Sequence, residues 1–146
     1  MKAENYMKLE FPSKSANESF ARSAVACFMS QLDPTIEELE DVKTAVSEAV
    51  TNCIVHAYPN ELGKIHIRCR LLDDSEIEIV VRDLGCGIPD VEQAREPLFT
   101  TGGADRCGMG FSIMESFMDK LKVKSAAGKG TSVTMRKKLS RKSANG

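Results

Sequence analysis

Tryptophan is absent from this 146-residue sequence, and aromatic residues make up only 5% of it. No apolar run approaches the roughly 18 residues a membrane-spanning helix needs, and Met1-Lys2-Ala3-Glu4 opens no apolar targeting segment. Cysteine is sparse and odd in number. Cys27, Cys53, Cys69, Cys86 and Cys107 include no C-x-x-C pair, which argues against a disulfide framework and against a zinc knuckle. A reducing, cytoplasmic setting is the expectation. Two nucleotide fingerprints are missing as well. There is no G-x-x-x-x-G-K-[ST], and Gly85-Cys86-Gly87-Ile88-Pro89-Asp90 lacks the third glycine of G-x-G-x-x-G.

Acidic residues are missing from one whole region. Residues 120–146 hold nine basic residues and none acidic, whereas residues 1–119 hold 11 basic and 21 acidic, an asymmetry that the formal net charge of −1 conceals. Lys120, Lys122 and Lys124 alternate as on a strand, and no aromatics are interleaved with them. A solvated sheet edge is therefore expected in preference to a nucleic-acid site.

What is present suffices for one core, since apolar residues reach 42%. The expectation is a single domain over residues 1–137, followed by a basic, unstructured tail at 138–146. Met7, Leu9 and Phe11 alternate with Lys8 and Glu10, the period-2 mark of a half-buried strand. Ser15 with Glu18 predicts a capping box and a helix whose apolar face carries Phe20, Ala24, Val25, Cys27 and Phe28. Thr35 with Glu38 predicts a second capping box and a longer helix to about His56, buried along Leu39, Val42, Val46, Ala49, Val50 and Cys53. Ile65, Ile67, Cys69 and Leu71 form a strand that returns through Asp73-Asp74-Ser75 into Ile77, Ile79 and Val81. Residues 84–107 show no clear period, a helix is predicted from about Gly110 to Met118, and a last hairpin pairs Leu121–Ser125 with Thr131–Met135. This order predicts an α+β fold, a two-layer α/β sandwich with an antiparallel or mixed sheet and helices on one face.

Four segments carry chemistry. Glu48, Asn52 and His56 stand at i, i+4 and i+8 on one helix face, away from the Val46, Val50 and Cys53 line. Such a stripe is either a solvated face or a carboxylate and an amide pointing into a polar cleft, where Asn ligates Mg²⁺ and Glu takes a proton. Asp83 shares strand parity with Ile77, Ile79 and Val81, so it points inward. There it either caps the following Gly85-Cys86-Gly87 turn or accepts a donor from a ligand. Gly108-Met109-Gly110 marks a glycine-rich segment becoming a helix, where open backbone N–H groups favour anions. Gly128-Lys129-Gly130-Thr131 alone reads as a hairpin turn.

In this order the segments resemble the Bergerat-fold ATP-binding family of histidine kinases and gyrase-type ATPases. Glu48-x-x-x-Asn52 is similar to its N box, and Asp83-x-Gly85-x-Gly87 and Gly108-x-Gly110 to its two glycine boxes. Gly128-x-Gly130-Thr131 is similar to its last box. The resemblance implies ATP or ADP as ligand, Mg²⁺ held by Asn52, Asp83 accepting from the adenine amino group, and a lid over residues 96–107. It also implies nucleotide contacts at Gly85, Gly87, Thr100, Thr101, Gly108, Met109, Gly110 and Thr131.

Asn17–Arg22, Val46–Asn52, Pro97–Thr101 and Gly108–Phe111 further resemble the small anti-sigma serine kinases of endospore-forming bacteria. That branch implies Glu48 as catalytic base and Arg106 as the lid cation that meets transferred phosphate. Arg22 becomes a contact residue for a sporulation sigma factor and for an anti-anti-sigma serine substrate, in a homodimer joined through the first strand and helix. Gly102-Gly103 stand where that branch carries Lys, leaving Arg106 as the lid's only cation. At this length there is no room for a phosphohistidine-bearing helical domain, so the acceptor is expected to be another protein or water. A stress-response anti-sigma kinase would share every site. A nucleotide-gated module that only holds a sigma factor is the other alternative, and no direct nucleic-acid or membrane contact is expected.

Overall fold

A computed structural model describes residues 3–87 and 104–140, and at residues 74 and 104–109 the backbone alone. The elements are β1 (Ala3–Pro12), α1 (Ala16–Met29), α2 (Ile36–Asn52), β2 (Lys64–Leu72), β3 (Glu76–Asp83), α3 (Ala104–Phe117), β4 (Lys120–Ala126) and β5 (Gly130–Lys138). All strand pairs are antiparallel, in the order β1-β2-β3-β5-β4. The α+β two-layer expectation holds, with the sheet wholly antiparallel.

The register explains the layering, because alternate residues face opposite sides of a strand. One row aligns Met7, Cys69, Ile79, Met135 and Leu121, and the next aligns Leu9, Ile67, Val81, Val133 and Val123. These apolar rows join the core with Ala21, Val25, Met29, Val42, Val46, Val50, Phe111 and Met114 from the helices. The opposite face is polar. Its rows are Glu10, His66, Arg82, Ser132 and Lys124, then Lys8, Arg68, Val80, Thr134 and Lys122, then Tyr6, Arg70, Glu78, Arg136 and Lys120.

Helix starts were partly legible. Thr35 accepts from the Glu38 N–H at 3.0 Å, and the Glu38 carboxylate accepts from the Thr35 N–H at 2.8 Å, so this capping box forms. Burial opposes the charge on Glu38, but the hydrogen bonds from Ser140 and Thr35 prevail and hold its carboxyl below the ordinary range. The expected box at Ser15 does not form. Ser15 lies in the αR region and makes no side-chain cap, while the Glu18 carboxylate turns to Ser47 Oγ and toward Arg22.

The buried stripe of α1 is also displaced from expectation. It runs Ala21, Val25, Met29, whereas Phe20 is 52% exposed and Cys27 is exposed. Small Ala21 lets α1 lie close on its neighbours, and Phe20 instead meets the ring of Phe11 edge-on at 6.2 Å.

Two further boundaries differ. The α-helical pattern of α2 stops at Asn52, and Cys53–Ala57 forms a π-helical turn closed by the Tyr58 N–H on the Cys53 carbonyl. The wider turn frees the His56 and Ala57 carbonyls, which accept from the Cys86 thiol at 3.1 Å and the Cys86 N–H at 3.2 Å. Helix α3 begins at Ala104, a full turn before Gly108, so Gly108, Met109 and Gly110 lie inside it rather than at its open start. Each interior glycine costs about 1 kcal/mol, which the buried Phe111, Met114 and Met118 offset. At the C-terminal end order continues past residue 137. Leu139 is buried and Ser140 donates to Glu38 from both N–H and Oγ. Residues 141–146 lie outside the described residues.

Candidate functional site

Four elements converge at one end of the sheet: the end of α2, the turn after β3, the start of β5 and the second turn of α3. Glu48 and Asn52 sit one above the other on α2, and Gly110 of α3 crosses directly over them. A Cβ built on Gly110 would lie 3.1 Å from Asn52 Nδ2, 3.2 Å from Asn52 Oδ1 and 3.3 Å from Glu48 Oε2. Glycine is what lets the two helices approach this closely. The carboxylate and amide therefore share one crevice beneath Gly110 rather than a fully solvated face.

Asn52 is left with both side-chain polar atoms buried and, among the described residues, no hydrogen-bond partner. An orphaned amide of this kind costs about 1–3 kcal/mol, so the fold carries an unfilled requirement at this point. An uncharged oxygen donor beside a carboxylate suits Mg²⁺, a hard cation that keeps several waters and takes few protein ligands when it rides on phosphates. The residues present fit that ion.

Asp83 is 5% exposed, as its strand parity required. Its Oδ1 accepts from the Gly85 N–H at 2.9 Å and the Thr131 N–H at 3.2 Å. The cross-strand pairing Asp83↔Thr131 puts the start of β5 beside it. The Cys53 thiol approaches Oδ2 at 3.5 Å. The turn-capping reading of Asp83 is met at Oδ1, and the residue also lines a cavity. That cavity, about 30 Å³, is bounded by Asn52, His56, Ala57, Asp83, Gly87, Phe111 and Thr131. It holds a water or two, far below the roughly 300 Å³ at which ligand pockets begin. Its walls must part to admit a larger guest. Gly87 makes the floor possible, since its φ is +76° and a Cβ there would meet the Ala126 carbonyl oxygen at 2.1 Å.

Tyr58 was not singled out by sequence. Its hydroxyl donates to the Lys64 carbonyl at 2.8 Å and accepts from the Leu84 N–H at 2.7 Å, tying the π-helical turn to β2 and to the turn after Asp83. Burial pushes its phenol up from the ordinary value. Only its place before Pro59 marked it, and that signals a chain break rather than a buried strut. Cys53, read simply as core, proves to be the thiol behind Asp83.

Thr100 and Thr101 lie outside the described residues. Arg106 and Met109 stand on α3, their side chains undescribed. Arg22 lies apart on α1, half-exposed, 3.9 Å from Glu18. Through Glu18 and Ser47 it is linked to the residue before Glu48.

Residues 11–137 match the family model described as the histidine kinase-like ATPase domain. The chain is 59% identical over 142 residues to the anti-sigma F factor of Caldanaerobacter subterraneus subsp. tengcongensis, covering 97% of this chain and 99% of that one. It is 58% identical to the anti-sigma F factor of Oceanobacillus iheyensis, covering 94% of each. Among solved structures, the RsbU and RsbW domains of Rv1364c from Mycobacterium tuberculosis superpose with TM-score 0.70 at 19% identity, over 94% of this chain and 32% of that one. The histidine kinase domain of the Erythrobacter litoralis EL346 blue-light activated kinase gives 0.57 at 20%, over 84% of this chain and 60% of that one. At such identities these two show the fold. Among the described residues no helix is long and apolar enough to cross a membrane. The chain belongs to the histidine kinase-like ATPase domain family, whose ligand class is ATP, and its full-length likeness is to anti-sigma F factors.

Proposed function

We propose that this chain is a cytoplasmic, ATP-dependent protein serine kinase and anti-sigma factor, which holds a sporulation sigma factor and phosphorylates a small anti-anti-sigma protein on serine. The observation that carries the reading is the crevice in which the Glu48 carboxylate lies against the orphaned Asn52 amide, opening on the same cavity as Asp83. The relatives named anti-sigma F factor supply the partner class.

In this reading Asp83 accepts from the adenine amino group, and Gly85, Gly87 and Thr131 shape the walls around the base. Asn52 holds Mg²⁺, which when bound neutralises charge on the phosphates. Glu48 accepts the proton of the substrate serine hydroxyl as its oxygen bonds to the γ-phosphorus and the bond to ADP breaks. Arg106 meets the charge on the transferred group. Thr100, Thr101, Gly108, Met109 and Gly110 line the phosphate path. Arg22 contacts both protein partners, and the homodimer forms through β1 and α1.

The test is Glu48→Gln incubated with labelled ATP and an anti-anti-sigma protein. Phosphoserine formation falls by at least 100-fold while MgADP still raises the melting temperature as in the wild type. Normal transfer by Glu48→Gln removes the base assignment. A wild type that binds nucleotide and sigma factor without forming phosphoserine is a holding module and no kinase.

A further inference from the structure

The sequence placed its basic excess in a C-terminal tract, but the fold redistributes it. On the sheet face turned away from the helices, three cross-strand rows bring together eight lysines and arginines against Glu10 and Glu78. The cations come from all five strands, so the patch exists only in the folded sheet. Glu78, 3% exposed, is consumed internally: it pairs with Arg70 at 2.7 Å and Arg136 at 2.6 Å, with Arg68 at 3.6 Å. Lys8, Arg82, Lys122 and Lys124 are exposed and make no ion pair among the described residues. Between Lys8 and Arg82 runs a groove of about 540 Å³, lined also by Glu10, His66, Arg68, Val80 and Ser132. Meanwhile the helical side carries Glu37, Glu38, Glu40 and Asp41 on α2. The molecule is thus polarised, and among the described residues no element covers its positive side.

We propose that this uncovered sheet face is a docking surface for an acidic segment of a partner protein. Strands about 4.8 Å apart make the face about 20 Å wide, which an extended chain crosses in about six residues. The three alternate rows occupy about 20 Å along the strands, so the patch covers roughly 400 Å², about half of the roughly 800 Å² each side of a standard globular interface buries, and the occupant is a linear segment rather than a folded patch. A single-stranded nucleic acid suits the face less well. Such binders stack bases on a series of aromatic side chains, and here Tyr6 on the outer strand is the one phenylalanine, tyrosine or tryptophan in the three rows. Binding through free surface cations is fast, salt-sensitive and readily reversed by charge substitution.

The experiment uses the full chain, a fluorescein-labelled twelve-residue peptide carrying six glutamates, and a labelled twelve-residue oligothymidylate. Fluorescence anisotropy is read at about 50 and 300 mM salt. The peptide binds, weakens with salt, and loses at least tenfold in affinity in Arg82→Glu combined with Lys122→Glu. The MgADP-induced rise in melting temperature is unchanged in that variant, since neither residue touches the crevice. Should the double variant fold poorly, Lys122→Gln alone lowers peptide affinity about threefold. Peptide affinity that ignores these changes overturns the proposal, as does oligothymidylate binding tighter than the peptide. So does a spin label at Arg82→Cys that is immobilised in the peptide-free protein, which would show the face already buried between copies of the chain.

Discussion

Gly110→Ala separates what this glycine does for stability from what it does for the site. Gly110 lies inside α3, where alanine is favoured by about 1 kcal/mol. Against that stands the new methyl, 3.1 to 3.3 Å from the ends of Asn52 and Glu48. Both are side-chain termini, able to yield a few tenths of an ångström by rotating, so backbone strain is small. The net change is expected between zero and about 1 kcal/mol in favour of the folded state, or up to about 3 °C in melting temperature. Function moves the other way. The displaced groups are the amide assigned to Mg²⁺ and the carboxylate assigned to the serine proton; misplacement by about 1 Å can cost about 100-fold in rate, so a shift of a few tenths of an ångström is expected to cost about 3- to 10-fold. The expected result is an apo melting temperature equal to or above wild type, a reduced MgADP shift, and phosphoserine formation down about 3- to 10-fold. Calorimetric melting with and without MgADP, followed by a transfer assay, reads all three. Wild-type nucleotide shift and transfer in Gly110→Ala would refute the argument, because the crevice would then tolerate the atom it is built to exclude.

Asn52→Leu replaces an unpartnered buried amide by an apolar group of similar size, so the apo protein gains about 1 kcal/mol, while the Mg²⁺-dependent part of the nucleotide shift disappears. A destabilised variant would mean that Asn52 has a protein partner after all. Asp83→Asn keeps Oδ1 for the Gly85 and Thr131 N–H groups but turns an amide donor toward the adenine amino group. ATP affinity by titration calorimetry should fall at least tenfold with melting temperature within about 2 °C of wild type, and unchanged affinity rejects the base assignment. Glu78 predicts an acid dependence. Burial raises its carboxyl, yet the hydrogen bonds and charges of Arg136 and Arg70 prevail and hold it below the ordinary 4.5. A lowered folded value contributes stability that is complete above the ordinary carboxylate range and is lost as pH falls below it. Urea midpoints between pH 7 and 3 should therefore decline less steeply for Glu78→Gln than for wild type, and parallel curves would contradict this.

Much of the fold was legible because apolar residues lie mostly on one side of each strand. The alternation in Met7–Phe11, Ile65–Leu71 and Ile77–Val81 assigned faces correctly and put Asp83 inward among them. The Thr35 and Glu38 spacing likewise forecast a cap that forms. The misses share a cause. At Ser15 the local pattern competed with a tertiary demand, since Glu18 is claimed by Ser47 on a neighbouring helix. On α1 the large apolar Phe20 outweighed Ala21 in any hydrophobic tally, yet close packing selects the small residue. Glycines at 108 and 110 read as a helix start, because propensity cannot foresee that a helix interior needs a missing Cβ.

Spacing along one helix was enough to put a carboxylate and an amide on a common face, and strand parity was enough to aim an acid at the core, because both follow from backbone periods of 3.6 and 2. Periodicity says nothing about what crosses over such a face. That Gly110 closes on Glu48 and Asn52, that Thr131 donates to Asp83 from across the sheet, and that cations from five separate strands gather on one side are outcomes of register and helix docking. They are decided by the burial of the entire core at once, so no stretch of chain shorter than the domain contains them.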